Sequence, residues 1–397
     1  MDRLRQIIHL DLDAFYCAVE EQGDPNLREV PFAVGGRPEE RGVVSSCSYA
    51  ARAMGIHSAM PMKQAIQICP ELIIISPHFP VYQESSRAVM QRLWDLTELV
   101  EQISIDEAFL DVTDLPGPVE EIARRLQAGI RDELGLPNSL GVASNKLVAK
   151  IATDVGKKRA QKGISPNAIT IVPAGTEAEF LAGLPVEMLW GVGPKTAQKL
   201  LEIGVEKIGQ LADISEIKLI QMFGKNGYEL AQRAKGIDDR PIITQHETKS
   251  ISQETTFARD IRDEKELRRT LEKQSHRVAW QLQKQGLLAR TVKIKLRRHN
   301  FQTLTRQVTL GQPTNDDKVI AEAADQLFSK VWQHGEFVRL LGVGVSGLDT
   351  GEKLETPKQI GLWDVDWEKE YKMQEAVTKI QKKFGKEKLS RGMKRDH

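Results

Sequence analysis

The sequence predicts a multidomain protein of the α+β class. Its 397 residues are more than one ordinary hydrophobic core accommodates, so several domains are expected. In the first half of the chain, strands alternate with amphipathic helices, which favours helices packed on one face of a sheet. In the last third, apolar periodicity predicts elements in the order β-α-β-β-α-β.

The composition is that of a globular protein outside membranes. Hydrophobic residues make up 40% of the chain and charged residues 28%. No long apolar run and no signal-peptide pattern are evident, and three scattered cysteines favour a reducing cytoplasm over a disulfide framework or zinc site. The net charge of +1 is uninformative, but residues 290–306 hold six basic residues and no acidic one.

The first strand carries acidic side chains on one face. Alternation over residues 7–13 directs His9, Asp11 and Asp13 to the same side, opposite three aliphatic residues. A helix is predicted directly afterwards, and we expect Asp13 to cap its N-terminus.

A second acidic feature lies within residues 103–112. The apolar pattern of these residues predicts a strand, a hairpin tip and a second strand. The adjacent Asp106 and Glu107 lie at the tip beside apolar residues, where two anions require a compensating cation. If this hairpin lies beside the first strand, Asp11, Asp106 and Glu107 form an oxygen site suited to Mg²⁺. Taken alone, an Asp-Glu pair is also compatible with a solvated turn.

Three further patterns indicate phosphate or DNA binding. Tyr49 and Arg52 share one helical face, where they can contact a polyphosphate, although Arg52 alone could be a solvated residue. The stretch Leu189–Leu200 resembles a helix-hairpin-helix, in which Gly191, Gly193 and Lys195 would approach DNA phosphates. Along a strand near 290–299, Val292, Ile294 and Leu296 face inward. The residues between them, Lys293, Lys295 and Arg297, face outward, where they would suit duplex DNA. Alternatively, these basic residues protect a sheet edge against pairing with another strand.

Three motifs together resemble those of the Y-family translesion DNA polymerases, most closely the DinB branch. They are residues 11–16 (DLDAFY), 104–111 (SIDEAFLD) and 141–150 (GVASNKLVAK). The likeness runs in order from the first strand to about Leu348. It implies a right-hand polymerase with palm (1–17 and 74–165), small fingers (18–73), helical thumb (166–240), linker (241–248), β-α-β-β-α-β little finger (249–348) and tail (349–397).

The resemblance also implies roles for the site residues. Asp11 and Asp106 would bridge two Mg²⁺ ions, for which Mn²⁺ can substitute, with Glu107 and the carbonyl of Leu12 as further ligands. Tyr16 would be the steric gate that excludes a 2′-hydroxyl. The triphosphate would be contacted by Ser46, Tyr49, Arg52 and a lysine, with Lys157 the better match although Lys158 stands beside it and the flanking residues depart from the family pattern.

In the tail, residues 358–364 resemble a sliding-clamp peptide, with Gln359, Ile360, Leu362 and Trp363 as anchors, although local packing of the Leu-Trp pair is the alternative. The resemblance as a whole implies a monomeric DNA polymerase acting on primer-template DNA and deoxynucleoside triphosphates, with low fidelity and lesion bypass. Two rivals remain: another two-metal phosphotransferase such as a nucleotide cyclase, and a non-catalytic DNA- or clamp-binding scaffold.

Overall fold

The computed structural model describes residues 4–159, 163–245 and 247–350. Its N-terminal half alternates strands and helices, as the sequence predicts. The elements, in order, are β1 (Ile7–Leu12), α1 (Phe15–Gly23), β2 (Phe32–Gly35), β3 (Val44–Cys47), α2 (Tyr49–Ala53), α3 (Met62–Ile68), β4 (Ile73–Ile75), α4 (Phe79–Leu96), β5 (Val100–Gln102), β6 (Glu107–Asp111), α5 (Val119–Leu134), β7 (Asn138–Ala143), α6 (Lys146–Arg159) and β8 (Ile169–Ile171).

Two sheets organise this half. A five-stranded sheet has the order β5-β6-β1-β7-β8, so that β1 lies in its centre, antiparallel to both β6 and β7. A smaller sheet has the order β3-β2-β4. The helices α1, α4 and α5 bury apolar residues against the larger sheet, whose inward side chains include Ile8, Leu10 and Leu110, all fully buried.

Two strands pair across the domain boundaries that we predict from the sequence. The strand β8 pairs in parallel with β7, so the large sheet continues beyond residue 165, where we placed the end of the palm. The strand β4 pairs with β2 in the small sheet and contains the predicted 73/74 boundary. Parallel pairing across a long connection leaves no short-range signal, which is why the sequence did not indicate either partner.

A helical unit follows, built from α7 (Glu177–Ala182), α8 (Pro194–Leu201), α9 (Ile208–Ala212), α10 (Glu216–Phe223) and α11 (Lys225–Ala234). Its buried aliphatic residues form one continuous cluster with the inner face of α6 and with Ile7 and Phe109 of the large sheet. The ring of Trp190 lies 6.0 Å from that of Phe109, which packs the helical unit against the second face of the sheet.

The C-terminal unit has the predicted β-α-β-β-α-β order. Its elements are β9 (Ser250–Ile261), α12 (Glu264–Gln285), β10 (Leu288–Arg298), β11 (Thr303–Thr314), α13 (Asp317–Val331) and β12 (Val338–Asp349). The sheet order is β11-β10-β12-β9, and both helices pack on one face of it. On β10, Val292, Ile294 and Leu296 are buried as predicted, so the lysines between them lie on the opposite face.

None of the helices in the described ranges combines the length and apolar character required to cross a membrane. The predicted clamp peptide at residues 359–363 lies outside the described residues.

Candidate active site

The sheet register brings the predicted acidic residues together. Asp11, near the end of β1, is the direct cross-strand partner of Glu107, the first residue of β6. The next backbone N–H of β1, that of Leu12, donates to the carbonyl of Asp106 at 3.0 Å. Directly opposed residues on antiparallel strands are neighbours in space, so three acids separated by about a hundred residues of chain meet at one edge of the sheet.

The hairpin tip is held by two serine hydroxyl groups. The Ser104 hydroxyl donates to Asp106 Oδ1 at 2.6 Å and accepts the backbone N–H of Glu107 at 3.0 Å. From α4, the buried Ser86 hydroxyl donates to the carbonyl of Ile105 at 2.5 Å. These contacts fix the backbone and one carboxylate of the tip.

Two lysines from α6 contact the carboxylates. Lys157 forms an ion pair with Asp11 and lies 3.2 Å from Asp13 Oδ1. About two turns earlier on the same helix, Lys150 donates to both carboxylate oxygens of Glu107, at 3.0 and 2.9 Å. No local sequence pattern indicates Lys150, because its partner Glu107 lies on a different element.

The electrostatics of the site favour an additional cation. Burial raises the pKa of Asp11 to about 7, Lys157 opposes that rise, and the negative charges of Glu107 and Asp106 add to it. Burial also acts to raise the pKa of Glu107, but His9 and Lys150 outweigh it and hold this pKa well below its usual range. Two lysines therefore offset part of the negative charge of three neighbouring carboxylates. Carboxylate oxygens are the donors that hard divalent cations prefer.

The carboxylate side chains do not by themselves surround a metal position. Among the described residues, no group of three His, Cys, Asp or Glu side chains is arranged so that it could hold a metal ion by itself. The donor chemistry therefore fits a divalent cation, but side-chain movement or oxygens from the substrate are required to complete its coordination.

His9 is a buried polar residue next to this site. Its Nδ1 lies 2.9 Å from the Thr153 hydroxyl, and its Nε2 has no hydrogen-bond partner in the described parts of the chain. That Nε2 lies 3.8 Å from Glu107 Oε2. Burial is the main cause that lowers the pKa of His9 to about 4, so the imidazole is neutral at pH 7.

The prediction that Asp13 caps α1 is wrong. The residue before α1 is Ala14, in the left-handed region with φ of 48°, and no side chain caps this terminus. The Asp13 side chain is instead buried, where it accepts hydrogen bonds from the Ser139 hydroxyl at 2.9 Å and the Asn167 backbone N–H at 3.0 Å. Its partners are distant in sequence, so Asp13 joins β7 and the segment before β8 to the site.

Tyr16 is fixed by aromatic contacts. Its ring stacks on that of Tyr82, with centroids 4.4 Å apart and planes 17° from parallel, and meets Phe79 edge-on at 6.2 Å. Tyr82 is fully buried and its hydroxyl donates to Glu20. Phe15, the neighbour of Tyr16 in the chain, lies in the core.

A cavity of about 400 Å³ lies between the acids and the small sheet. Its lining includes Asp11, Asp106, Tyr16, Ser46, Arg52 and Lys157. As predicted, Tyr49 and Arg52 share a face of α2, with the guanidinium 4.9 Å from the centre of the Tyr49 ring. Lys157 lines both this cavity and a second cleft, between α6 and residues 185–192, whereas Lys158 is exposed and lines the second cleft alone.

In the predicted helix-hairpin-helix, a three-residue 3-10 helix (Val186–Met188) precedes the glycines and α8 follows them. Gly191 has a φ of 100°, which disfavours other residues, and α8 begins at Pro194 directly after Gly193. Gly191, Gly193 and Lys195 are all exposed.

On the C-terminal sheet, the predicted basic residues of β10 differ in their contacts. Lys295 pairs with Glu254 at 2.8 Å and Arg297 donates to Thr303 at 2.9 Å, while Lys293 is exposed.

Comparisons with known proteins agree with this geometry. Residues 10–154 match the model of the impB/mucB/samB family, and residues 248–362 match that of its C-terminal domain. DNA polymerase IV of Desulfatibacillum aliphaticivorans is 41% identical over 96% of this chain and 94% of its own. DNA polymerase IV 1 of Bacillus subtilis is 38% identical over 98% and 92%. A solved Y-family DNA polymerase chimera superposes with a TM-score of 0.76 at 26% identity, covering 86% of this chain and 98% of the chimera.

The fold and the acidic site define a multidomain right-hand polymerase of the α+β class. The chain belongs to the Y family of DNA polymerases, in the DNA polymerase IV branch of the impB/mucB/samB proteins. It is therefore a DNA-directed DNA polymerase of the translesion class, and neither the scaffold nor the cyclase alternative is favoured. Metal dependence is a property of this family.

Proposed function

We propose that Asp11, Asp106 and Glu107, with the carbonyl of Leu12, hold two Mg²⁺ ions, for which Mn²⁺ can substitute. The observation that carries this proposal is the register of β1 with β6, which places Asp11 opposite Glu107 and beside Asp106 at the edge of the cavity. When bound, two divalent ions stabilise the attacking and leaving oxygens of an in-line phosphoryl displacement.

The residues of the cavity would bind and orient the deoxynucleoside triphosphate. Arg52 and Lys157 would supply the positive charge for the phosphates, and the Ser46 hydroxyl would supply a hydrogen bond. Tyr49 does not line the cavity but lies beside Arg52, from where its hydroxyl would contact the triphosphate. The Tyr16 ring, held by its aromatic neighbours, would occupy the space that a ribose 2′-hydroxyl requires. No protein nucleophile is needed, since the primer 3′-hydroxyl attacks the α-phosphate and pyrophosphate leaves.

Primer-template DNA would be held by two sequence-independent surfaces. The exposed backbone around Gly191 and Gly193, with Lys195, suits phosphates at the start of a helix. The outer face of the C-terminal sheet offers Lys293, Lys295 and Arg297 on one strand. Because phosphate contacts carry no base information, both surfaces suit a polymerase that accepts any template.

Several further assignments complete this proposal. We assign palm, fingers, thumb, linker and little finger in the order given by the resemblance, and the pairing of β8 with β7 supports continuing the palm to β8. The enzyme would act as a monomer in the cytoplasm, and Gln359, Ile360, Leu362 and Trp363 would bind a sliding clamp. The support for the clamp contact is the sequence pattern of those residues alone.

Removal of divalent cations tests the central assignment. Full chelation is expected to abolish primer extension, because the carboxylates alone concentrate negative charge where phosphates must bind. Added Mg²⁺ or Mn²⁺ should restore extension with a cooperative dependence on metal concentration, and Ca²⁺ addition controls for simple charge screening. Extension that continues in excess chelator would contradict the two-metal assignment.

The choice between the two neighbouring lysines is testable by a matched pair of substitutions. Lys157→Ala is expected to raise KM for the nucleotide by about 10- to 100-fold, since a charge-assisted contact with phosphate contributes about 1.5–3 kcal/mol. Lys158→Ala, which removes an exposed lysine outside the cavity, should change KM less than about threefold. Equal effects of the two substitutions in steady-state kinetics would reject the assignment to Lys157.

A further inference from the structure

The outer face of α12 carries a basic stripe that the polymerase reaction does not use. We define the basic stripe as Arg269, Lys273, Arg277 and Lys284, with Trp280 among them. At 3.6 residues per turn, these five side chains fall within an arc of about 80°. The acidic Glu266 lies on the same arc, at its N-terminal end. The stripe therefore extends along most of the helix as one continuous surface.

The stripe faces away from the sheet that would hold duplex DNA. The opposite side of α12 buries Leu267, Leu271, Val278 and Leu282 against the inner face of that sheet. Lys293 and its basic neighbours lie on the sheet's outer face, so the sheet and the helix layer separate the two positive surfaces. DNA on the sheet would leave the stripe accessible.

The charges of the stripe are available to a ligand. Within the described part of the chain, Arg269, Lys273 and Arg277 form no salt bridge, whereas the neighbouring Arg268 pairs with Glu264 and Asp325. Trp280 is 54% exposed, and the Lys284 ammonium lies 5.2 Å from the centre of its ring. The exposed indole ring and the cations beside it are therefore accessible to a ligand, and tryptophan is a residue type enriched at interfaces.

From this arrangement we infer that the basic stripe binds single-stranded DNA. Arg269, Lys273 and Arg277 are four residues apart along the helix, about 6 Å, and can contact successive phosphates of an extended strand, with Lys284 seven residues further on. The Trp280 ring offers an unspecific stacking platform for a base, and such a combination of positive charge and aromatic rings is the usual means of holding a single strand. Duplex DNA would supply the phosphates but no unstacked base for Trp280. The inference does not depend on the metal or nucleotide assignments.

The experiment uses the full-length chain and a thymidine oligonucleotide of about 16 nucleotides. The oligonucleotide should quench tryptophan fluorescence, and Trp280→Phe should remove most of that quenching while keeping an aromatic ring. Lys273→Glu/Arg277→Glu should weaken oligonucleotide binding at least about tenfold and reduce the salt slope of log K by about 1.4, at 0.7 per lost contact. A matched control is Lys318→Glu/Lys330→Glu, which reverses two exposed charges on α13 of the same domain and should change neither quantity.

Blunt duplex DNA separates the stripe from the sheet. Its affinity should change less than about twofold in Lys273→Glu/Arg277→Glu, since the duplex does not need the stripe. Unchanged oligonucleotide binding in this variant would overturn the inference and place single strands in the polymerase cleft. Quenching by poly-glutamate but not by the oligonucleotide would also overturn it and identify an acidic protein segment as the partner. Quenching by neither would show a merely solvated helix face.

Discussion

Replacing Asp106 by asparagine is expected to lower kcat for primer extension by at least about 10³-fold. The substitution keeps the shape of the side chain and an oxygen that can accept the Ser104 hydroxyl, now at 2.6 Å from Asp106 Oδ1, so the tip should remain folded. It removes one negative charge from the set that would hold the metal ions, whose stabilisation of the transferring phosphoryl group is worth several kcal/mol. Each 1.36 kcal/mol is tenfold in rate, hence the expected loss.

The control for this change is Asp95→Asn. Asp95 is exposed on α4 and lines no part of the nucleotide cavity, so its loss should leave extension within about twofold of the wild type. Steady-state primer extension measures kcat, and binding of Mn²⁺ measured by electron paramagnetic resonance reports the metal site without catalysis. Full extension by Asp106→Asn would show that the acids have another role, and weak Mn²⁺ binding with intact folding would support the assignment.

The sequence predicted the parts of this site that depend on local patterns. Strand alternation placed Asp11 on a polar face, and the interrupted hairpin placed Asp106 and Glu107 at a tip, because both follow from short-range periodicity. The order of elements in the C-terminal unit and the buried face of β10 were predicted for the same reason. That the first strand lies beside the hairpin was a conditional expectation, and the register of β1 with β6 now satisfies it.

The parts that were missed depend on contacts between distant residues. Asp13 reads locally as a helix cap, but its actual partners, Ser139 and Asn167, are 126 and 154 residues away. In the sequence, Lys150 is one of several basic residues of a helix, and only the structure shows that its ammonium group donates to the Glu107 carboxylate. The strands β4 and β8 joined their sheets through parallel pairing, which a sequence pattern does not reveal. In each of these cases, contacts with residues distant in the chain, and not local secondary-structure propensity, determine where the residue or strand lies.

Replacing Tyr16 by alanine is expected to lower discrimination against ribonucleotides by about 10- to 200-fold, while incorporation of deoxynucleotides continues. Forcing an extra group into an occupied space costs about 1–3 kcal/mol, which is the penalty that the ring would impose on a 2′-hydroxyl. The Tyr16 ring can impose this penalty because its neighbours hold it in place. It stacks on Tyr82 with ring centroids 4.4 Å apart, and it meets the Phe79 ring edge-on. The measurement is the ratio of kcat/KM for matched deoxy- and ribonucleoside triphosphates.

Two further substitutions separate the effect of the ring from that of its hydroxyl and from its support. Tyr16→Phe keeps the stacked ring and should keep discrimination within about twofold. Tyr82→Leu keeps an apolar side chain but removes the stacking partner that Glu20 anchors, so discrimination should fall in the same direction as in Tyr16→Ala, by a smaller factor. If Tyr16→Ala left the ratio unchanged, the ring would not contact the sugar, and the cavity would have to select deoxynucleotides by another side chain.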